Sequence, residues 1–159
     1  MLRDFIINGA KAPNAMYKAK TEMVTGMAVV KEDTATDKYV KTTDIESAAD
    51  IFFVDKERIP TGVNTAREDM SDYDPNFVNI KADEFVSIDK YHAGEKFGTD
   101  QYDSTFTDDL AIDTRIAFKG GKATKATTVA SPYLFKGFHN DNGHKLAQIA
   151  VSDTPAQNS

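Results

Sequence analysis

Four consecutive apolar residues, Ile51-Phe52-Phe53-Val54, stand between Asp50 and Asp55. The run is too short for a helix and consists of β-branched and aromatic residues, so it reads as a strand. Side chains alternate faces along a strand, and here both faces are apolar. A strand of that kind lies in the middle of a core or is sandwiched at a contact. Other strands of the chain must then form the layer that covers it.

Such a layer has many candidates. On the N-terminal side lie Met27-Ala28-Val29-Val30-Lys31 and Lys38-Tyr39-Val40-Lys41. On the C-terminal side come Phe77 to Ile80, Glu84 to Ile88, Arg115 to Phe118, Tyr133 to Phe138 and Lys145 to Val151. Turn residues separate these runs, and long 3.6-residue apolar patterns are absent. In the last run Ala147, Ile149 and Val151 share one face. Lys119-Gly120-Gly121-Lys122 spells a tight hairpin, because paired glycines accept the positive φ of a primed turn. Asp141-Asn142-Gly143 spells a second. The pattern predicts an all-β fold, a small β-barrel or β-sandwich of short antiparallel strands.

Two segments depart from it. Residues 1–24 read as an extended N-terminal arm, interrupted by Asn8-Gly9 and Ala12-Pro13-Asn14. Residues 56–76 read as a long irregular loop with Pro60, Gly62 and the acidic patch Glu68-Asp69…Asp72-Tyr73-Asp74. Within that loop Thr65 and Glu68 have the spacing of a capping box for one short helical turn. Loops of this length in a compact domain are usually functional. Residues 25–151 form the β-rich domain, with two similar β units expected at about 25–90 and 91–151. Met27 to Lys31 followed by Lys41-Thr42-Thr43 parallels Ile116 to Lys119 followed by Lys125-Ala126-Thr127-Thr128. The polar residues 152–159 are expected to be a flexible tail.

Composition narrows the function. The 159 residues include no cysteine, and 19 Lys and Arg against 25 Asp and Glu give a net charge of −6. That length supports one real core or two small lobes. Without cysteine there are no disulfides, thiolate metal sites or cysteine nucleophiles, so order must come from packing or assembly. The acidic balance speaks against binding a nucleic-acid backbone. Phe5-Ile6-Ile7 is too short for a signal-peptide core or a membrane span, and no later stretch reaches 18 apolar residues. The chain is expected to be made in the cytoplasm and to stay soluble, without membrane contact.

The chemical inventory is thin. His139 and His144 are the one close histidine pair, and a zinc site would add His92 or Asp141. Histidines flanking a hairpin turn are more often plain surface residues. Glu95 with Asp100 or Asp103 is the best carboxylate pair for glycosidic acid–base work. Asp108, Asp109 and Asp113 add oxygen donors, but no stretch matches a calcium loop. Solvating loops and blunting strand edges is the simpler role for such residues. No Gly-x-Ser-x-Gly, phosphate loop or dinucleotide fingerprint occurs. Aromatics such as Tyr39, Phe52 and Tyr133 lack the basic surroundings needed to stack bases. The reading is a non-enzyme with no cofactor and no metal, whose work is to adhere. An arm that adds a strand to a neighbour is one physical route to that.

The segment Tyr91-His-Ala-Gly-Glu-Lys-Phe-Gly-Thr-Asp-Gln-Tyr102 resembles a stretch of small virion proteins of tailed bacteriophages. So does the ending, Tyr133-Leu-Phe-Lys-Gly-Phe-His-Asn-Asp-Asn-Gly-His-Lys-Leu-Ala-Gln-Ile-Ala-Val151, with the opening Asn8-Gly9…Gly26-Met-Ala-Val-Val30. Together they resemble capsid decoration, or head cement, proteins. The resemblance implies a virion protein on the capsid outer surface, with the major capsid protein as partner and self-association as a trimer or another oligomer. It implies that the protein bridges capsid subunits and stiffens the head. On that reading Phe5, Ile6, Ile7 and Tyr17 are the capsid contacts, apolar knobs on a segment too short to build its own core. Residues 3–7 read equally well as the first strand of a barrel. Two alternatives stay open: a tail-tube or head-fibre component, and a carbohydrate- or calcium-binding β module of the virion surface.

Overall fold

The described residues, 1–9, 14–55 and 79–159 of a computed structural model, form strands and turns without a helix. The strands are β1 (Leu2–Ile6), β2 (Asn14–Ala19), β3 (Met23–Val24), β4 (Ala28–Asp33), β5 (Lys38–Lys41), β6 (Phe52–Asp55) and β7 (Asn79–Ile80). They continue with β8 (Phe85–Asp89), β9 (Lys96–Thr99), β10 (Arg115–Lys119), β11 (Lys122–Lys125), β12 (Ser131–Asp141) and β13 (His144–Ala156). The expected loop at 56–76, its capping box and acidic patch, and the first half of the run from Phe77 to Ile80 lie outside the described residues.

β2, β5, β4, β6 and β8 close in that order into a barrel, and β1, β9, β13, β12, β10 and β11 form a six-stranded sheet. The fold is thus all-β, with a closed barrel as one of its two layers. Strand neighbours are antiparallel except for β2 and β5, which run parallel with Ala19 beside Val40.

β6 joins the two layers. Val54 points into the barrel with Val29, Val40, Val86 and Ile88. Ile51 and Phe53 point the other way, into a core shared with Phe97, Phe118, Tyr133, Phe135 and Ile149 of the sheet. All three β6-region residues are fully buried. The run is apolar on both faces because each face serves a different core. β4 does the same beside it, with Ala28 in the sheet core and Val29 in the barrel core. A five-stranded barrel is too narrow for a channel, so side chains fill it. Met23 and Ile80, from the small ribbon of β3 and β7, add to that filling.

Both hairpins form where the turn residues place them. Lys119 pairs with Lys122 across Gly120 and Gly121, at φ 58° and 79°. Asp141 pairs with His144 across Asn142 and Gly143, at φ 51° and 90°. Ala147, Ile149 and Val151 share the buried face expected of them.

Three features depart from the sequence reading. Residues 1–24 are extended, but they do not leave the domain as an arm. β1 pairs with β9, Leu2 opposite Thr99 and Asp4 opposite Phe97. β2 enters the barrel beside β8, with Tyr17 opposite Val86. Partners far along the chain hold the segment there: Arg3 Nε reaches Asp141 Oδ2 at 2.9 Å, and the Asn8 amide donates to Glu95 Oε1 at 3.1 Å. The Phe5 ring lies over Gly98, 2.7 Å from where a β-carbon would sit. The C-terminal tail is also docked. β13 runs on to Ala156, opposite Ser131, and Asn158 accepts from the Arg115 amide at 2.7 Å and donates to Ala126 O at 2.7 Å. Its polar residues, which read as fraying, are hydrogen-bonding groups for the sheet edge. Finally, β9 is a strand that the apolar runs do not announce, because Gly98 interrupts it. Phe97 and Thr99 are nevertheless buried.

Candidate binding surface

Of the four expected contact residues, two have surface to offer. Ile6 is 52% exposed and Ile7 42%. Phe5 is half-buried, edge-on to His139 at 5.1 Å between ring centres. Tyr17 is 3% exposed and belongs to the barrel core, which corrects its assignment as a knob. The period of two explains this: Tyr17 and Ala19 turn inward, while Met16 turns outward and is 63% exposed. Phe85 is also mostly exposed, and Lys18 lies opposite it with Nζ 5.2 Å from the ring centre. Met16 and Phe85 were legible as the outward positions beside Tyr17 and Val86.

The candidate catalytic and metal groups are engaged inside the fold. Glu95 is buried and accepts from the His92 amide at 2.8 Å as well as from Asn8. Asp100 accepts from the Met1 ammonium at 2.6 Å and from Gln101 Nε2 at 2.8 Å, and faces His144 Nδ1 at 3.5 Å. Asp103 accepts from the Thr105 amide and hydroxyl. The supposed zinc set is divided: His139 meets Phe5, Asp141 meets Arg3, and His144 meets Asp100. Among the described residues no group of three or more His, Asp or Glu is placed to hold a metal. A cleft of about 390 Å³ between β1 and the barrel is lined by Leu2, Arg3, Asp4, Asp55, Asp89 and Tyr91. Burial, then the hydrogen bond to Asp4, pushes the Tyr91 phenol far above its ordinary range. It is therefore a fixed neutral donor.

One arrangement has no counterpart in the sequence reading. The barrel opens where β2, β5 and β6 begin and β4 and β8 end. Here Lys31 Nζ lies 5.0 Å from the Tyr17 ring centre and 4.4 Å from that of Phe52. Lys38 Nζ lies 5.9 Å from Tyr17, and Lys90 Nζ 5.3 Å from Phe52. Each lysine stands two residues beyond a buried barrel residue, respectively Val29, Val40 and Ile88. A lysine at that offset in three strands is the signal that marks the mouth.

A carboxylate also ties the two ends of the core together. Glu46 accepts from the Thr127 hydroxyl at 2.6 Å and from the amides of Thr127, Thr128 and Val129 at 2.8, 3.1 and 3.3 Å. Burial raises its pKa, but these donors together outweigh burial and hold it at about 2, against 4.5 for a free glutamate. A folded-state pKa below the unfolded one gives stability that is complete above pH 4.5 and lost as pH falls toward 2. The urea midpoint of the wild type should therefore fall more steeply between pH 5 and 2.5 than that of Glu46→Gln. At pH 7 the variant should lose about 1.5–3 kcal/mol, the worth of hydrogen bonds to a charged group. Parallel midpoint-against-pH curves for the two proteins would show that the loop does not hold the ionised form.

Comparison with known protein families, with curated proteins and with solved structures finds no match to this chain.

Proposed function

We propose that this protein is a structural virion component that binds the outer surface of a bacteriophage capsid and stabilises the head by bridging major capsid subunits. The observation that carries the reading is the exposed pair Ile6 and Ile7 at the end of β1, the edge strand of the six-stranded sheet. Leu2 and Phe5 of the same strand are spent on the fold, and the next two apolar side chains are left in water. Single exposed apolar residues are common, but an adjacent pair on a strand edge is a contact feature. The resemblance of residues 91–102 and 133–151 to decoration proteins supplies the partner. Repeated by capsid symmetry, one modest apolar contact per subunit gives firm attachment through avidity. The reading assigns no catalytic step, cofactor, nucleic-acid contact or membrane contact.

The test is co-sedimentation with expanded, DNA-filled heads. Deleting the first twelve residues is unsuitable, since it removes β1 and its pairing with β9. Ile6→Asp with Ile7→Asp leaves the paired backbone intact, and each exposed change should cost only about 0.5 kcal/mol of stability. Wild-type protein should pellet with heads, and the double variant should bind at least about tenfold more weakly. A wild-type protein that stays in the supernatant with saturating heads ends the capsid reading. Undiminished binding of the folded variant removes Ile6 and Ile7 from it.

A further inference from the structure

The cationic mouth of the barrel is not accounted for by the Ile6 and Ile7 contact. Lys31 and Lys38 share the Tyr17 ring, and Lys31 and Lys90 share the Phe52 ring, so three ammonium groups converge in a chain whose net charge is −6. Asp50 takes Lys90 at 3.1 Å, and Asp33 stands opposite Lys38 in the β4–β5 register. Lys31, between them, lies over both rings. Lysine stems do shield aromatic surface from water. Shielding needs methylenes, however, which glutamine or methionine also supply, and does not need three positive charges at one opening.

We propose that this mouth binds an acidic segment of a partner polypeptide. Lysine is a point charge suited to single carboxylates, and among the described residues no arginine at the mouth offers a fork of the kind that grips phosphate. The half-buried ring of Phe52 offers an edge to an apolar residue between the acidic ones. If the capsid reading holds, the segment is a surface loop of the capsid subunit, and only that identification rests on it.

The probe is a fluorescein-labelled peptide with four glutamates around one phenylalanine, titrated by anisotropy at about 50 mM salt, where surface charges are lightly screened. The wild type should bind saturably, with amide shifts concentrated at Lys31, Lys38 and Lys90. Lys31→Gln with Lys38→Gln should weaken binding about tenfold. The matched control is Lys119→Gln with Lys122→Gln, two exposed lysines facing each other across the β10–β11 turn, and it should change affinity less than about twofold. Non-saturable binding overturns the proposal, as does an equal loss in the control or shifts scattered over the surface. Tighter binding of single-stranded DNA of equal charge would assign the mouth to nucleic acid instead. The shift map uses wild-type protein, so it decides even if a variant is unstable. Peptide binding by a protein that ignores heads keeps the mouth and removes the capsid. Head binding unaffected by the mouth variant keeps the capsid and removes the identification of the segment as a capsid loop.

Discussion

Phe53→Ala will lower the free energy of unfolding by about 3–5 kcal/mol, at the upper end for core truncations. The ring has no exposed surface and meets four others, with centres 5.5 Å from Tyr91, 4.5 Å from Phe97, 5.3 Å from Phe118 and 6.5 Å from Tyr133. Aromatic pairs of this kind add about 0.5–1.5 kcal/mol each beyond the area they bury. The neighbours cannot close the gap, because Phe97, Phe118 and Tyr133 are each held in a different strand of the six-stranded sheet. A cavity that cannot collapse costs the most. Against a typical margin of 5–15 kcal/mol, the variant sits near the threshold of folding. Urea unfolding followed by tyrosine fluorescence measures it, with Phe53→Leu as the milder change at about 1.5 kcal/mol. A loss below about 1.5 kcal/mol for the alanine variant would mean that the ring cluster does not join the layers.

Gly26→Ala should cost about 3 kcal/mol, combining backbone strain with a steric clash. Gly26 has φ +92°, where a side chain is strained in any surroundings. The surroundings are also closed. A β-carbon would lie 2.6 Å from the Met1 carbonyl oxygen and 2.9 Å from Thr99 Oγ1. That hydroxyl donates to Gly26 O at 2.9 Å, and the Gly26 amide donates to Val54 O at 2.8 Å. Relief of the clash therefore moves β1, β9 or β6, the strands at the junction of barrel and sheet. Gly120→Ala separates the two contributions. It has φ +58° and nothing within 4 Å, so it should cost only about 1 kcal/mol. Equal thermal shifts for the two variants would leave the close approach at Gly26 without energetic weight.

The sequence was most informative where one physical cause acts alone. The double apolar face of Ile51 to Val54 marked a strand central to a core, and the glycine and asparagine turns set the register of both hairpins. The N-terminal residues were less legible. Phe5-Ile6-Ile7 looks the same whether it docks on its own sheet or on a neighbour, since pairing with β9 depends on residues far along the chain. Tyr17 shows the limit of identity without parity: an aromatic residue beside a methionine reads as a knob until its strand neighbours fix which one faces inward. The carboxylates were misleading for a related reason. Glu95, Asp100 and Glu46 look alike in composition, yet each holds a backbone or terminal donor that only the tertiary fold brings to it, for Glu95 the Asn8 amide. The lysine mouth was hidden because its three members come from β4, β5 and the end of β8.

The pairing of β1 with β9 also bears on synthesis. Leu2 leaves the ribosome before its partner Thr99, which follows about a hundred residues later. β9 in turn waits for β13, since Phe97 pairs with Ile149. At about 5–20 residues per second, that leaves several seconds in which β1 has been made but has nowhere to dock. The barrel strands, between Asn14 and Asp89, are all translated within that interval. β1 is thus made before the barrel strands but can be placed only after β9 and β13, and until then Leu2, Phe5, Ile6 and Ile7 travel on the nascent chain without their sheet.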